Sequence, residues 1–205
     1  MGVNDKCEKG RTALHNAAEK GQLEVVKWLI KKGAKVDSTD KLKRKPLHYA
    51  VLSGVVEIVR ELVKNGANVN AENEYKETPL YWAAASGRVD IARVLVEKGA
   101  NVNAKDDYKE TPLHWAASSI LAHVNVVRYL IEKGANVNAE TKYKETPLHV
   151  AAASGYVDIV RVLIEKGANV FAKNDVGQTP RQKAEQRGHF ELAKILREAE
   201  ENQKP

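Results

Sequence analysis

One interval constrains the fold of this chain more than any other feature. The tetrads Thr12-Ala13-Leu14-His15, Lys45-Pro46-Leu47-His48, Thr78-Pro79-Leu80-Tyr81, Thr111-Pro112-Leu113-His114, Thr146-Pro147-Leu148-His149 and Thr179-Pro180-Arg181-Gln182 start 33, 33, 33, 35 and 33 residues apart. A second marker, Lys-Gly-Ala or Asn-Gly-Ala, keeps the same beat, with its glycine at Gly33, Gly66, Gly99, Gly134 and Gly167. Two independent markers in phase mean that one supersecondary unit is repeated. Such a unit must stack on its copies to bury its apolar face.

The third unit shows how each is built. Thr78 stands at a helix N-cap with Pro79 behind it, where a missing N–H is harmless. Leu80, Ala83 and Ala84 share one helical face, and Gly87 stops this short helix. A second helix is predicted from near Val89, apolar at Ile91, Ala92, Leu95 and Val96, ending at Gly99. The polar remainder, Ala100 to Glu110, reads as an extended loop reaching toward the next threonine. Helices of two or three turns are too short to be stable alone, so the reading is all-α, a solenoid of stacked helix-turn-helix units.

Composition narrows the classes. The longest apolar runs fall far short of a membrane span, the start Met1 to Gly10 has no apolar leader segment, and the single Cys7 rules out an internal disulfide. These features point to an intracellular, cytoplasmic protein. The net charge of +6 is not spread along the chain: residues 1–50 carry 12 basic and 6 acidic side chains, and the rest hold 21 of each. A surface that tracks phosphates along the molecule needs a stripe rather than one patch, so nucleic acid ranks low as a partner. The excess reads first as a solvated patch, and second as a local docking site for an acidic partner.

The Thr-Pro-Leu-His-Trp-Ala-Ala run, the glycine between the helices and the Leu-Ile-Glu-Lys-Gly-Ala-Asn-Val-Asn-Ala close resemble the ankyrin repeat. The resemblance covers residues 1–205 as one domain, with units at 9–40, 41–73, 74–106, 107–141, 142–174 and 175–199 and a polar tail at 200–205. It implies antiparallel helix pairs with loops projecting as β-hairpin-like fingers, a concave side lined by fingers and first helices, and a role in binding other proteins. It also implies that His15, His48, His114 and His149 make hydrogen bonds within and between repeats. Asn70, Asn103 and Asn138 match a place that is hydroxylated in many ankyrin proteins; the fifth unit departs from this with Phe171.

The sequence opens mid-repeat, which is expected of an array cut from a longer one or lacking an upstream cap. The last unit resembles a polar C-terminal cap. Unit four inserts two residues and loses its interhelix glycine, leaving Ile120 and Leu121 to find cover or stay wet. The glycine usual two places before the threonine is kept at Gly10 and Gly177 but is Lys43, Lys76, Lys109 and Lys144 in between. Either the finger turn differs there, or four lysines carry an unfavourable backbone.

No catalytic, cofactor or metal site is expected. Four of the six histidines recur at the repeat pitch, and no phosphate loop, metalloprotease motif or nucleophile elbow is present. Asp106 and Asp107 read as a solvated pair.

In the geometry the resemblance implies, the residue after each tetrad and the residue three before it face the concave side. Six of the twelve aromatics fall there. The expected partner-binding residues are Tyr49, Tyr75, Trp82, Ser86, Tyr108, Trp115, Ser119, Tyr143 and Val150, rimmed by Lys43, Lys76, Lys109 and Lys144. Tyr and Trp offer large, rigid contact area and dominate interface hot spots. The leading expectation is a non-catalytic module binding a protein or peptide on its concave face. An engineered ankyrin scaffold or selected binder is the second reading, and a weak acidic-partner or nucleic-acid contact through the basic N-terminal patch the third. Self-association through the apolar groove stays open.

Overall fold

A computed structural model describes residues 2–118 and 124–203, and within these the secondary structure is helical, with no strand among the described residues. The helices come in pairs of a short first and a longer second member. They are α1 (Ala13–Glu19) with α2 (Leu23–Lys31), α3 (Pro46–Ser53) with α4 (Val56–Lys64), and α5 (Pro79–Ala85) with α6 (Val89–Glu97). The pairs continue with α7 (Pro112–Ser118) and α8 (Val124–Glu132), α9 (Pro147–Ser154) and α10 (Val157–Glu165), then α11 (Pro180–Gln186) and α12 (Phe190–Asn202). Ser119, Ile120, Leu121 and the two-residue insertion lie outside the described residues.

The chain packs as two compact units, Met1–Asn101 and Val102–Pro205. In the first, α1, α3 and α5 stack side by side, as do α2, α4 and α6; in the second, α7, α9 and α11 form one row while α8 packs on α10. The tetrad leucines Leu14, Leu47, Leu80, Leu113 and Leu148 are fully buried, and small residues such as Ala17, Ala50, Ala83 and Ala151 let neighbouring first helices approach closely. From the second helices, Ile58, Leu62, Ile91 and Leu95 close the core of the first unit, and Leu130, Ile159 and Leu163 that of the second.

The N-caps differ in detail from the sequence reading. Thr78 has the extended backbone of an N-cap, but its hydroxyl makes no capping bond and has no hydrogen-bond partner among the described residues. That the hydroxyl has no acceptor of its own proton has its cause three residues on. Where His follows, the threonine hydroxyl donates to the ring, as Thr12 does to His15 Nδ1 and Thr146 to His149 Nδ1, both at 2.9 Å. Unit three has Tyr81 in that slot.

Candidate functional site

The four fingers that lead into units two to five are tight turns, each tied to its own base by one buried polar side chain. Asp40 Oδ1 accepts from the backbone N–H groups of Leu42 (2.9 Å) and Arg44 (2.8 Å). Asn73 Oδ1 does the same for Tyr75 and Glu77, Asp106 Oδ1 for Tyr108 and Glu110, and Thr141 Oγ1 for Tyr143 and Glu145. Asp106 is therefore buried and structural, not half of a solvated carboxylate pair. These anchors went unnoticed in the sequence, although a signal existed: a short polar side chain stands five residues before each of these tetrads.

The turns close through residues in the left-handed region. Lys43, Lys76, Lys109 and Lys144 have φ of 56°, 62°, 59° and 55°, alongside Gly10 at 76° and Gly177 at 79°. The finger is thus the same turn with lysine or glycine, and the lysines carry the strain that glycine avoids.

Adjacent fingers are stitched through their backbones within each unit. Leu42 O accepts from Glu74 N in the first; Tyr108 O accepts from Lys142 N and Tyr143 O from Asp175 N in the second. The backbones of Tyr108 and Tyr143 are held on both the N–H and the C=O side, while their side chains reach solvent. Tyr75, Tyr108 and Tyr143 are 52%, 55% and 53% exposed, and Lys142 Nζ lies 5.5 Å from the centre of the Tyr108 ring.

The inner-helix aromatics behave differently. Tyr49, expected on accessible surface, is 2% exposed. The Arg11 and Arg44 guanidinium groups sit 4.3 and 5.1 Å from its ring centre, and its hydroxyl donates to Asp40 Oδ2 at 2.7 Å. Burial, aided by that bond, pushes the phenol pKa up to about 12. Burial also pushes the Asp40 carboxyl up, but the bonds from Tyr49 and Arg44 outweigh it and hold its pKa below the ordinary value. Tyr49 is therefore a packing residue, and Tyr49→Phe should destabilise the chain by about 1–3 kcal/mol, because Asp40 stays buried and charged with one donor fewer. Urea unfolding of the variant at neutral pH checks this.

Trp82 is half-buried: its Nε1–H donates to Glu77 Oε2 at 3.0 Å, and its ring meets His48 edge-on at 5.3 Å. Trp115, Ser86 and Val150 are likewise partly exposed, and Ser119 lies outside the described residues. The rim lysines Lys43, Lys76, Lys109 and Lys144 are exposed beside the fingers.

The four repeat histidines are buried bridges. In each, Nδ1 accepts from the backbone N–H of the residue opening its tetrad. Nε2–H then donates to a carbonyl of the next finger: Arg44 O, Glu77 O, Glu145 O and Gln178 O at 3.0–3.2 Å. Both nitrogens are used and the ring is neutral. Burial pushes the pKa of His48 and of His114 down to about 4, and those of His15 and His149 in the same direction. Asn70 and Asn138 also bridge, giving an amide N–H to Gly99 O and Gly167 O and accepting from Asn101 N and Asn169 N. Among the described residues no group of His, Cys, Asp and Glu is placed to hold a metal ion, and no helix is long and apolar enough to cross a membrane.

A buried Thr-Pro-Leu-His stack with projecting finger turns defines a helical repeat protein of the ankyrin type. The family model for ankyrin repeats (3 copies) matches residues 1–73, 33–106, 70–141, 105–174 and 138–204, so the chain belongs to the ankyrin-repeat family. No curated protein matches it at a significant level. Ankyrin repeats are generally protein–protein interaction modules and typically non-catalytic.

Proposed function

We propose that this chain is a non-catalytic binding module that contacts a protein or peptide partner through its finger tyrosines, Tyr75 in the first unit and Tyr108 and Tyr143 in the second, with the partly exposed Trp82 and Trp115 as further contacts of their own units. One observation carries the reading: Tyr75, Tyr108 and Tyr143 hold half-exposed rings on backbones that the finger hydrogen bonds fix in place. An aromatic ring that is already positioned loses little freedom when a partner covers it, so its contact area converts efficiently into affinity. Lys76 with Glu77, Lys109 with Glu110 and Lys144 with Glu145 place both signs of charge beside each ring, which orients a partner without selecting an acidic or a basic one. The single thiol, Cys7, is exposed and fits a reducing, intracellular setting.

Affinity capture with the wild-type chain and with Y75A/Y108A/Y143A as baits tests the reading. The wild type should retain a discrete set of proteins that the variant loses; identical captures by both baits would refute it.

A further inference from the structure

The second helices pack side by side within each unit, and neighbours leave a groove between them at the same repeat positions. In the first unit one such groove runs between α4 and α6. It holds about 470 Å³ and is lined by Arg60, Val63 and Lys64 of α4, by Val94 of α6 and by Lys98 just after it. The floor is apolar, since Val94 is 2% exposed and Val63 is partly buried. Arg60, Lys64 and Lys98 are exposed along its sides, and none has a carboxylate partner among the described residues.

At the counterpart positions of the second unit the chain supplies its own carboxylates. Between α8 and α10, Glu132 stands at the place of Lys64. Glu165 there pairs with Arg128, at the place of Arg60, at 3.4 Å and with Lys166, at the place of Lys98, at 3.5 Å. Between α10 and α12, Glu165 and Glu198 line the groove together with Arg161. The groove between α2 and α4 is mixed as well, because Glu57 and Glu61 line it beside Lys27, Arg60 and Lys64. Glu97, at the place of Glu165, is exposed, does not line the groove between α4 and α6, and pairs with neither Arg60 nor Lys98. The second unit thus shows what satisfies cations at these positions, and the first unit leaves them without it.

We propose that the groove between α4 and α6 takes a short acidic segment of a partner protein, with one apolar side chain on Val63 and Val94 and flanking carboxylates reaching Arg60, Lys64 and Lys98. Complementary charge selects the carboxylates, and the recessed valines select a segment that carries an apolar side chain among them. A nucleic-acid backbone offers phosphates but no apolar group for that floor. A lipid surface fits less well, because among the described residues neither helix exposes a large apolar side chain that could enter a bilayer. The groove is built by second helices, apart from the fingers, and does not depend on the role given to the tyrosines.

The probes are short labelled peptides titrated with the full chain: a leucine flanked by glutamates, the same peptide with serine for leucine, and the same with lysines for glutamates. The wild type should bind the leucine and glutamate peptide about tenfold or more tightly than either of the others, and a similar factor should separate it from R60E/K64E/K98E. K133E/K166E removes cations from the second unit and should bind this peptide as the wild type does. All of these side chains are exposed, and the serine peptide tests the apolar floor without altering the core. No binding, equal binding of the serine or the lysine peptide, or equal binding to R60E/K64E/K98E would overturn the inference. So would a matching loss with K133E/K166E, or phosphatidylserine vesicles, a duplex oligonucleotide or inorganic phosphate bound through the same three cations more tightly than the peptide.

Discussion

Lowering the pH from 6.5 to 4 should remove most of the chain's stability. His48 and His114 carry pKa values of about 4 in the folded protein against 6.5 when free, so between these limits the unfolded chain takes up protons that the native chain refuses. Their contribution is complete above pH 6.5 and is lost as the pH falls toward 4. A depression of this size is worth about 3 kcal/mol for each histidine, or roughly 6 kcal/mol for the two, a large part of a typical domain's stability. His15 and His149 are shifted the same way and add to the loss. The chain supplies its own control: Gln182 occupies the histidine slot of the last repeat, and its Oε1 accepts from Thr179 N at 2.9 Å without titrating. Unfolding by urea across this pH range should show a steep fall for the wild type and a distinctly shallower one for H48Q/H114Q. A wild-type profile flat between pH 6.5 and 4 would contradict the assignment.

The second large effect runs in the opposite direction. Replacing Lys43, Lys76, Lys109 and Lys144 by glycine should stabilise the chain by roughly 0.5–1 kcal/mol per site, after allowing for the greater freedom of glycine in the unfolded state. The four changes together should raise Tm by about 5–15 °C in a chain of this size. The matching alanine variants keep a Cβ at positive φ and should show no such gain. If alanine stabilised as much as glycine, relief of lysine repulsion rather than backbone strain would be the cause. A strained turn retained four times over is itself informative, because strain of this kind tends to persist where the side chain is used. These lysines flank the finger tyrosines.

Local rules made the architecture legible. The tetrad spacing, the proline at the first helical position and Gly87 after α5 predict where helices start and stop, and α5 and α6 occupy Pro79–Ala85 and Val89–Glu97. The four histidines bridge repeats as the resemblance implied. What escaped the sequence depends on which side chains meet at a given slot, within a repeat or across two. Tyr49 shares its slot with Trp82 and Trp115, yet Arg11 and Arg44, each just before a tetrad, close over its ring. In the third unit the residue before the tetrad is Glu77, which accepts from Trp82 and leaves that ring half open. Asp106 and Asp107 look alike as neighbours in sequence, but only Asp106 stands at the base of the turn, where two backbone N–H groups converge on it. Thr78 lacks the hydroxyl-to-ring bond that Thr12 and Thr146 make because a tyrosine stands where their histidine does.

The central claim is that the finger tyrosines serve a partner and the framework does not need them. It is tested most directly by measuring melting temperature and partner affinity together on Y75A/Y108A/Y143A, using a protein captured by the wild-type chain. The account predicts a Kd at least about 100-fold weaker, as for several truncated hot-spot rings, with a melting temperature within a few degrees of wild type. Unchanged affinity accompanied by a large drop in melting temperature would show that the rings hold the fold instead.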